Sequence, residues 1–195
     1  MKAAQPKAPP AARDDAELVK RCAQGDQQAW AELVDKYKNL IFSIPIKYGF
    51  TREDAAEVFQ QVCLELLTYL NELRNPTGLA KWLMQVTSHR CYHWKQQSRR
   101  MVSESEAPQT EVPATAVQHP IDVLREAERE QALRDAIAIL TPRCREMIRM
   151  LFFEDAPRPY SEVASALGMA SGSVGFIRGR CLEKLRAHLE KMGHA

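Results

Sequence analysis

The sequence predicts an all-α protein with two small helical domains, joined by a flexible acidic linker, and a helix-turn-helix in the second domain. Apolar residues recur at helical spacing along most of the 195-residue chain, and no stretch alternates apolar and polar residues as a half-buried strand would. One segment rich in Pro, Ser, Thr and Glu has no periodicity at all. Hydrophobic residues make up 45% of the chain, which is enough for two small cores. Their helical spacing places Leu67 in the core of the first domain and Phe152 in the core of the second.

The first predicted domain covers residues 14–100. Asp26 can cap a helix with a long apolar face, and we expect Pro45 to kink or end that helix. Thr51, with a carboxylate three residues later, resembles a capping box at the start of the next helix. Thr77 can cap a last helix, which follows a connecting loop. The domain is therefore predicted as a bundle of amphipathic helices.

The remaining segments are a tail, a linker and a second domain. We predict a disordered tail over residues 1–13, because this segment is rich in Pro, Ala and Lys, and an acidic linker over residues 101–120. The second predicted domain covers residues 121–195. Within it, Thr141 and the following proline start a helix as N-cap and N1, and Gly168 closes a shorter one.

Residues 161–185, SEVASALGMASGSVGFIRGRCLEKL, have the layout of a helix-turn-helix. In such motifs the second helix enters the major groove of DNA and its amino-terminal residues meet the base edges. Arg180 is the best single candidate for a DNA contact, whereas Arg178 lies nearer the apolar side. A plain helical hairpin has the same apolar spacing and remains the alternative.

Three glycines interrupt the second helix of this motif. On a helical wheel Gly172, Gly175 and Gly179 fall together, opposite the apolar stripe. We expect this bare strip to let the backbone approach DNA closely. The alternative is that the helix starts later than Ser171, so that the early glycines belong to the turn.

Charge is segregated although the net charge is only +2. Residues 73–103 contain six Lys or Arg and no acidic residue, whereas residues 51–72 are acidic. This segregation favours one polyanionic partner and a second partner of another kind. Ordinary solvated helix faces remain the alternative.

The five cysteines are widely spaced, odd in number and without a CxxC pair. We therefore expect no disulfide framework and no zinc ribbon, with most of the cysteines buried as small hydrophobes in a reducing compartment. His89 and His93 lie four residues apart on one helix face, while Cys91 points to the opposite side. We predict no metal site from these three residues.

The sequence contains none of the common motifs that indicate an enzyme, a membrane protein or a secreted protein. It has no P-loop, GxSxG, HExxH or EF-hand motif, so we expect neither an enzyme nor a cofactor. No apolar run approaches the length of a membrane span, and the amino-terminal residues lack the apolar core of a secretory signal. The expected location is cytoplasmic, without a membrane partner.

Taken in order, four segments resemble a bacterial RNA polymerase sigma factor of the extracytoplasmic-function (ECF) group. LVKRCAQGDQQAWAELVDKY resembles the start of that family's first conserved domain, and DAAEVFQQVCLELLTYLNELR resembles its core-binding helix. NPTGLAKWLMQVTSHRCYHWKQQSRR resembles its −10-reading segment. LTPRCREMIRMLFFEDAPRPYSEVASALGMASGSVGFIRGRCLEKLRAHL resembles its −35-reading domain.

The resemblance implies a protein that binds core RNA polymerase and directs promoter-specific transcription initiation. Its first domain would be region 2 and its second domain region 4. The residues implied in docking on the β′ clamp helices are Asp54, Glu57, Gln60 and Gln61. Those implied at the −10 element are Arg74, Asn75, Thr77, Lys81, Arg90, Tyr92, His93 and Lys95. Those implied at the −35 element are Ser171, Ser173, Gly175, Phe176, Arg178, Gly179, Arg180 and Lys184.

The resemblance also implies partners beyond promoter DNA. Region 4 would meet the β flap of the polymerase, and many relatives are held by an anti-sigma factor, which stays an open alternative here. His89 and His93 stand where relatives often carry Asn and Asp, which leaves the −10 sequence open. Trp94 either stacks on a base or completes the core. A helix-turn-helix regulator whose first domain senses a signal is the competing function.

Overall fold

The computed structural model describes residues 14–70, 72, 78–104 and 120–194, with only the backbone for residues 98–104. These residues form eight α-helices and one 3-10 helix, with no strand among them, which confirms the all-α prediction. The helices are α1 (Asp15–Ala23), α2 (Gln27–Lys47), α3 (Arg52–Tyr69), α4 (Leu79–Glu104), α5 (Pro120–Ile139), α6 (Pro142–Phe152), α7 (Tyr160–Ala166) and α8 (Val174–Lys191), with the 3-10 turn at Ser171–Ser173 before α8.

The chain divides into two compact units, and the division falls inside α5, between Gln131 and Ala132. This division lies further along the chain than residue 121, where the sequence predicts the start of the second domain. The predicted tail and most of the predicted linker lie outside the described residues. Helix α4 continues four residues into the predicted linker, as far as Glu104. The domain boundaries otherwise stay predictions.

The starts of α2 and α3 follow the predicted caps, whereas the predicted cap Thr77 lies outside the described residues. The Asp26 carboxylate accepts hydrogen bonds from the amides of Gln28 and Ala29 at 2.9 and 3.1 Å. The Thr51 hydroxyl accepts one from the amide of the residue three positions later, at 3.1 Å. Both bonds satisfy amides that lack a partner within the helix. Pro45 does not end α2, because the helix runs two residues further with the proline buried.

The core of the first unit is centred on α2. Its buried side chains include Leu33, Leu40 and Ile44, and α1, α3 and α4 pack around it. The Tyr37 hydroxyl is satisfied inside this core by donating to the Asp15 carboxylate at 2.7 Å. Leu67, which the periodicity placed in the core, is instead exposed on α3.

The first turns of α5 belong to this same unit. Val123 and Ala127 are buried in the α1–α4 core. The ammonium of Lys47 lies 3.0 Å from the Glu126 carboxylate and 2.6 Å from that of Glu130. Burial opposes the charge of Lys47, but the hydrogen bonds to Glu130 and Glu126 outweigh it and raise its pKa. Apolar packing and a half-buried ion cluster therefore both hold this part of α5.

The second unit contains α6, α7 and α8. Thr141 caps α6 by accepting from the amide of Cys144 at 3.4 Å, with Pro142 at N1 as predicted. Gly168 follows α7 with φ +60°, a left-handed conformation that glycine adopts without the steric cost of a Cβ. Phe152, predicted as core, is exposed at the end of α6. This unit confirms the helix-turn-helix prediction.

One expectation about the cysteines is wrong. Cys144 and Cys181 form a disulfide with an S–S distance of 2.06 Å, which joins α6 to α8. The two residues are 37 positions apart, so only the packing of α6 against α8 brings them together. Cys91 is buried as expected, and Cys22 and Cys63 are partly buried.

Among the described residues, no helix combines the length and the apolar character that crossing a bilayer requires.

Candidate nucleic-acid interface

The second helix of the helix-turn-helix is held by a small apolar core. Val174, Cys181 and Leu185 are buried on one side of α8, and Val163 and Ala164 of α7 are buried within the same cluster. The 3-10 turn means that α8 starts at Val174, later than Ser171. This position supports the alternative in which Gly172 belongs to the turn. Gly175 and Gly179 remain inside the helix.

The outward side of α8 carries an aromatic and basic surface near its amino-terminal end. The Phe176 ring is 69% exposed, and the Arg180 guanidinium lies 5.2 Å from its centroid. Lys184 is exposed one turn further on. Before the helix, Ser171 is exposed and Ser173 is half-buried. An exposed ring beside a cation offers an apolar flat side and a positive charge, which suit contact with bases and phosphates.

Arg178 is positioned differently from Arg180. Its guanidinium donates a hydrogen bond to the Tyr160 hydroxyl at 2.5 Å and lies 5.8 Å from the centre of that ring. Arg178 is half-buried, as its place nearer the apolar stripe predicted. It therefore joins α8 to the first residue of α7. Tyr160 is a contributor that sequence analysis missed, because only the fold brings it opposite residue 178.

The glycines of this helix are not required by internal packing. A Cβ placed on Gly172 or Gly179 would meet no atom within 4 Å. On Gly175 it would meet only the Tyr160 ring, at 3.9 Å, which is an ordinary contact. No steric pressure from within the unit thus explains the loss of helix propensity at Gly175 and Gly179.

The residues predicted at the −10 element fall into three groups in the first unit. Arg74, Asn75 and Thr77 lie outside the described residues. Lys81, Tyr92 and His93 are exposed on α4, with Tyr92 at 64%. Arg90 and Lys95 each have a partner in the structure.

Arg90 and Lys95 are turned toward the protein. The Arg90 guanidinium donates two hydrogen bonds to one carboxylate oxygen of Glu65 on α3, at 3.0 and 2.6 Å. The Lys95 ammonium donates to the backbone carbonyl of Tyr48 at 2.5 Å and lies 5.7 Å from the Phe50 ring. Local sequence patterns do not reveal Glu65 and Tyr48 as partners, because Glu65 is on α3 and Tyr48 follows α2, whereas both cations are on α4.

His89 and His93 contact each other on the exposed side of α4. Their Nε2 atoms are 2.9 Å apart, and the rings meet edge to face at a centroid distance of 4.2 Å. Cys91 is buried on the other side, as the helical spacing predicted. No group of three or more metal-ligating side chains occurs within the part of the chain that the structure describes. Trp94 is half-buried against Phe50, with ring centroids 6.3 Å apart.

A cleft of about 640 Å³ opens beside this histidine pair. Its lining includes Tyr48, Tyr92 and Lys95, with Leu124 of α5 on one side. An aromatic and apolar lining with one ammonium group at its edge could accept a flat ring that carries negative charge. Tyr92 and Lys95 therefore border one concave surface of this unit.

The predicted docking residues share the outward side of α3. Glu57 and Gln60 are exposed, whereas Asp54 and Gln61 are half-buried. The Asp54 carboxylate accepts from the Thr51 hydroxyl at 2.7 Å, so it takes part in the capping box. Leu64 and Leu67 are exposed further along α3, one and two turns beyond Gln60. Sequence analysis missed Leu64 and assigned Leu67 to the core.

The geometry of the second unit is that of a DNA-binding helix-turn-helix domain. Residues 136–187 match the family model described as Sigma-70, region 4. This match covers α6, α7 and α8 except for the last residues of α8. Residues 136–187 of the second unit are therefore similar to sigma-70 region 4.

Comparison with whole chains found two similar proteins. The chain is 26% identical over 156 residues to the probable RNA polymerase sigma factor RfaY of Xanthomonas campestris pv. campestris, a match over 78% of this chain and 38% of that relative. It therefore spans well under half the length of this relative. The solved structure of CnrH in complex with the cytosolic domain of CnrY matches 92% of this chain and 99% of CnrH, with 20% identity and a TM-score of 0.37. By sequence, 156 residues of the chain are thus similar to a probable RNA polymerase sigma factor.

Proposed function

We propose that this protein is a sigma factor of the ECF group, which binds core RNA polymerase and directs initiation at promoters with −10 and −35 elements. The observation that carries the proposal is the sigma-70 region 4 match over a helix-turn-helix whose α8 exposes Phe176 and Arg180. We assign −35 recognition to this surface. Because Arg178 is held by Tyr160, it acts in this scheme by orienting α8.

The first unit would bind the polymerase and the −10 element. On α3, the exposed Glu57 and Gln60 next to the apolar side chains of Leu64 and Leu67 suit a helical partner with polar and apolar faces. On α4, Tyr92 is available to stack on an unpaired base, since a ring exposed beside a cleft can meet the flat side of any base. We assign these surfaces to the β′ clamp helices and to melted promoter DNA.

The remaining features of the proposal follow from this role. The protein would act in the cytoplasm through its contacts alone, without catalysis or a cofactor. The β flap would bind the second unit. An anti-sigma factor would be the regulatory partner, and the neighbour solved in complex with a cytosolic domain is compatible with such a partner.

Run-off transcription with purified core polymerase tests the proposal. We expect promoter-dependent transcripts only when the protein is added. Arg180→Ala should lower affinity for a −35-containing promoter by roughly 5- to 150-fold, corresponding to about 1–3 kcal/mol for a base contact. Arg186→Ala on the same helix is the matched control, because Arg186 pairs with Glu190 at 2.8 Å. Equal losses in both variants, or no added transcripts from the wild type, would refute the assignment.

A further inference from the structure

The disulfide between Cys144 and Cys181 connects the start of α6 to the middle of the recognition helix. Cys144 is the third residue of α6, and Cys181 directly follows Arg180 on α8. The Cα atoms are 5.4 Å apart, within the usual range for a disulfide. Both side chains are in the core that holds α8. At this Cα separation the bond requires no unusual backbone geometry.

The other three cysteines are free thiols, and they lie in the first unit. Burial raises the pKa of Cys91 to about 12 and raises the pKa of Cys22 and Cys63 as well. Cys144 and Cys181 are also buried, so the feature that distinguishes them is the sulfur–sulfur contact between α6 and α8. The five cysteines thus divide into one bonded pair and three unpaired thiols.

Within the pair, Cys144 is the more exposed residue, at 7% against 1% for Cys181. Its amide is in the capped first turn of α6, where the helix dipole favours negative charge. We therefore assign Cys144 as the sulfur that reacts with an external reagent.

We propose that Cys144 and Cys181 are a reversible redox pair whose bond fixes the recognition helix α8 to α6. The co-reactant is a low-molecular-weight disulfide, R–S–S–R. The Cys144 thiolate attacks one of its sulfurs, which forms a mixed disulfide and releases one RS⁻. Cys181 loses its proton to water and attacks the Cys144 sulfur, which forms the protein disulfide and releases the second RS⁻. Two electrons pass to the reagent, and both RS⁻ groups take up protons as RSH.

The disulfide can affect DNA binding because it is attached to α8, the helix that presents the proposed DNA-binding side chains. Phe176 and Arg180 are presented by the half of α8 that leads up to Cys181. A cross-link that closes a 37-residue separation restricts the unfolded chain and so favours the folded unit. Disulfides in a reducing compartment are usually catalytic or redox-sensing, which fits a reversible bond better than a permanent one. The reducing compartment and the step from redox state to promoter binding both rest on the proposed function.

The test equilibrates the full chain with mixtures of reduced and oxidised glutathione. Alkylation and mass spectrometry should find a Cys144–Cys181 peptide that disappears as reduced glutathione increases, with the other three thiols unpaired throughout. Reduction should lower the thermal midpoint of the second unit by about 10 °C or more. A bond that excess reduced glutathione leaves intact, a bond that never forms, or an unchanged midpoint would each overturn the proposal.

Two variants serve as controls for this test. Cys63→Ala should keep the redox-dependent midpoint, whereas Cys144→Ala with Cys181→Ala should lose it. If the double variant does not fold, the glutathione titration of the wild type still tests the proposal.

Near the midpoint of the reduced form, the oxidised chain should bind a −35-containing duplex several-fold more tightly than the reduced chain. Absence of DNA binding in both states would count against the proposed function, while the redox pair would stand on its own readouts.

Discussion

At the scale of single residues, α8 combines unfavourable helix formers with a surface suited to DNA. Gly175 and Gly179 lie inside the helix, and Gly179 has free space where a Cβ would be. Gly168 has the same space but a φ of +60°. The free-energy effect of adding a methyl group at these positions therefore depends on the backbone conformation as well as on the free space.

Gly179→Ala should raise the free energy of unfolding of the second unit by up to about 1 kcal/mol, because alanine is the better helix former. Gly168→Ala should lower it by about 1–2 kcal/mol, because a Cβ is strained in the left-handed region. Urea unfolding measures both changes.

A Gly179→Ala protein that is more stable yet binds promoter DNA more weakly would support close approach of the backbone. Unchanged affinity would show that Gly179 lowers the stability of the helix without contributing to DNA binding.

At the scale of elements, side-chain caps and ion pairs define where helices begin and how they are held. At the end of α6, Arg149 bonds the carboxylates of Glu146 and Glu154 at 2.6 and 2.8 Å, and Arg158 bonds Glu154 at 2.5 Å. The hydrogen bond from Arg149 lowers the pKa of Glu146, and the one from Arg158 lowers the pKa of Glu154. Each carboxylate is therefore favoured in its charged form by folding.

This ion cluster should make the second unit sensitive to acid. A carboxyl group whose pKa is lower in the folded state stabilises the fold above its unfolded value of 4.5, and this contribution is lost as the pH falls through the lowered value. The free energy of unfolding should thus decrease from about pH 5 downward. Glu146→Gln with Glu154→Gln should flatten this dependence in urea titrations. An unchanged pH profile in the double variant would contradict the prediction.

The outward side of α3 supports a prediction about polymerase binding. Glu57→Lys with Gln60→Ala should weaken co-purification with core polymerase, because it reverses a charge on the side of α3 that also exposes Leu64. Glu128→Lys is the matched control, since Glu128 is exposed on α5. Neither change touches a buried side chain, so circular dichroism should be unaltered. Undiminished core binding by the double variant would remove α3 as the docking element.

At the scale of the whole molecule, a net charge of +2 means that attraction to DNA must be local. Some of the basic residues form ion pairs within the protein, as Arg90 does with Glu65 and Lys47 does with Glu126. Others, such as Lys184 on α8, are exposed at the surface assigned to DNA. Charge counts along the sequence do not separate these two groups.

The salt dependence of promoter binding should distinguish them. Lys184→Gln should reduce the slope of log K against log salt by about one, because one phosphate contact is lost. Lys191→Gln, at the far end of α8, should leave the slope unchanged and is the control. Fluorescence anisotropy with a promoter duplex measures both. Equal slopes in wild type and Lys184→Gln would exclude a phosphate contact at this residue.

The sequence by itself determined the helices and the order of their parts. Apolar spacing and local caps such as Asp26, Thr51 and Thr141 depend on residues within a few positions of one another, so they can be read without a fold. The helix-turn-helix followed from the same local signals. Arg180 could be chosen as the outward arginine because the helical period alone fixes its side of α8.

Only the tertiary structure decided which distant side chains meet. The Cys144–Cys181 bond, the contact of Arg178 with Tyr160 and the pairing of Arg90 with Glu65 each join two different helices. Their partners depend on how those helices pack, and local periodicity carries no information about that. The same packing exposed side chains that the helical period had assigned to the core, because a helix buries only the part of its apolar stripe that a neighbouring element covers.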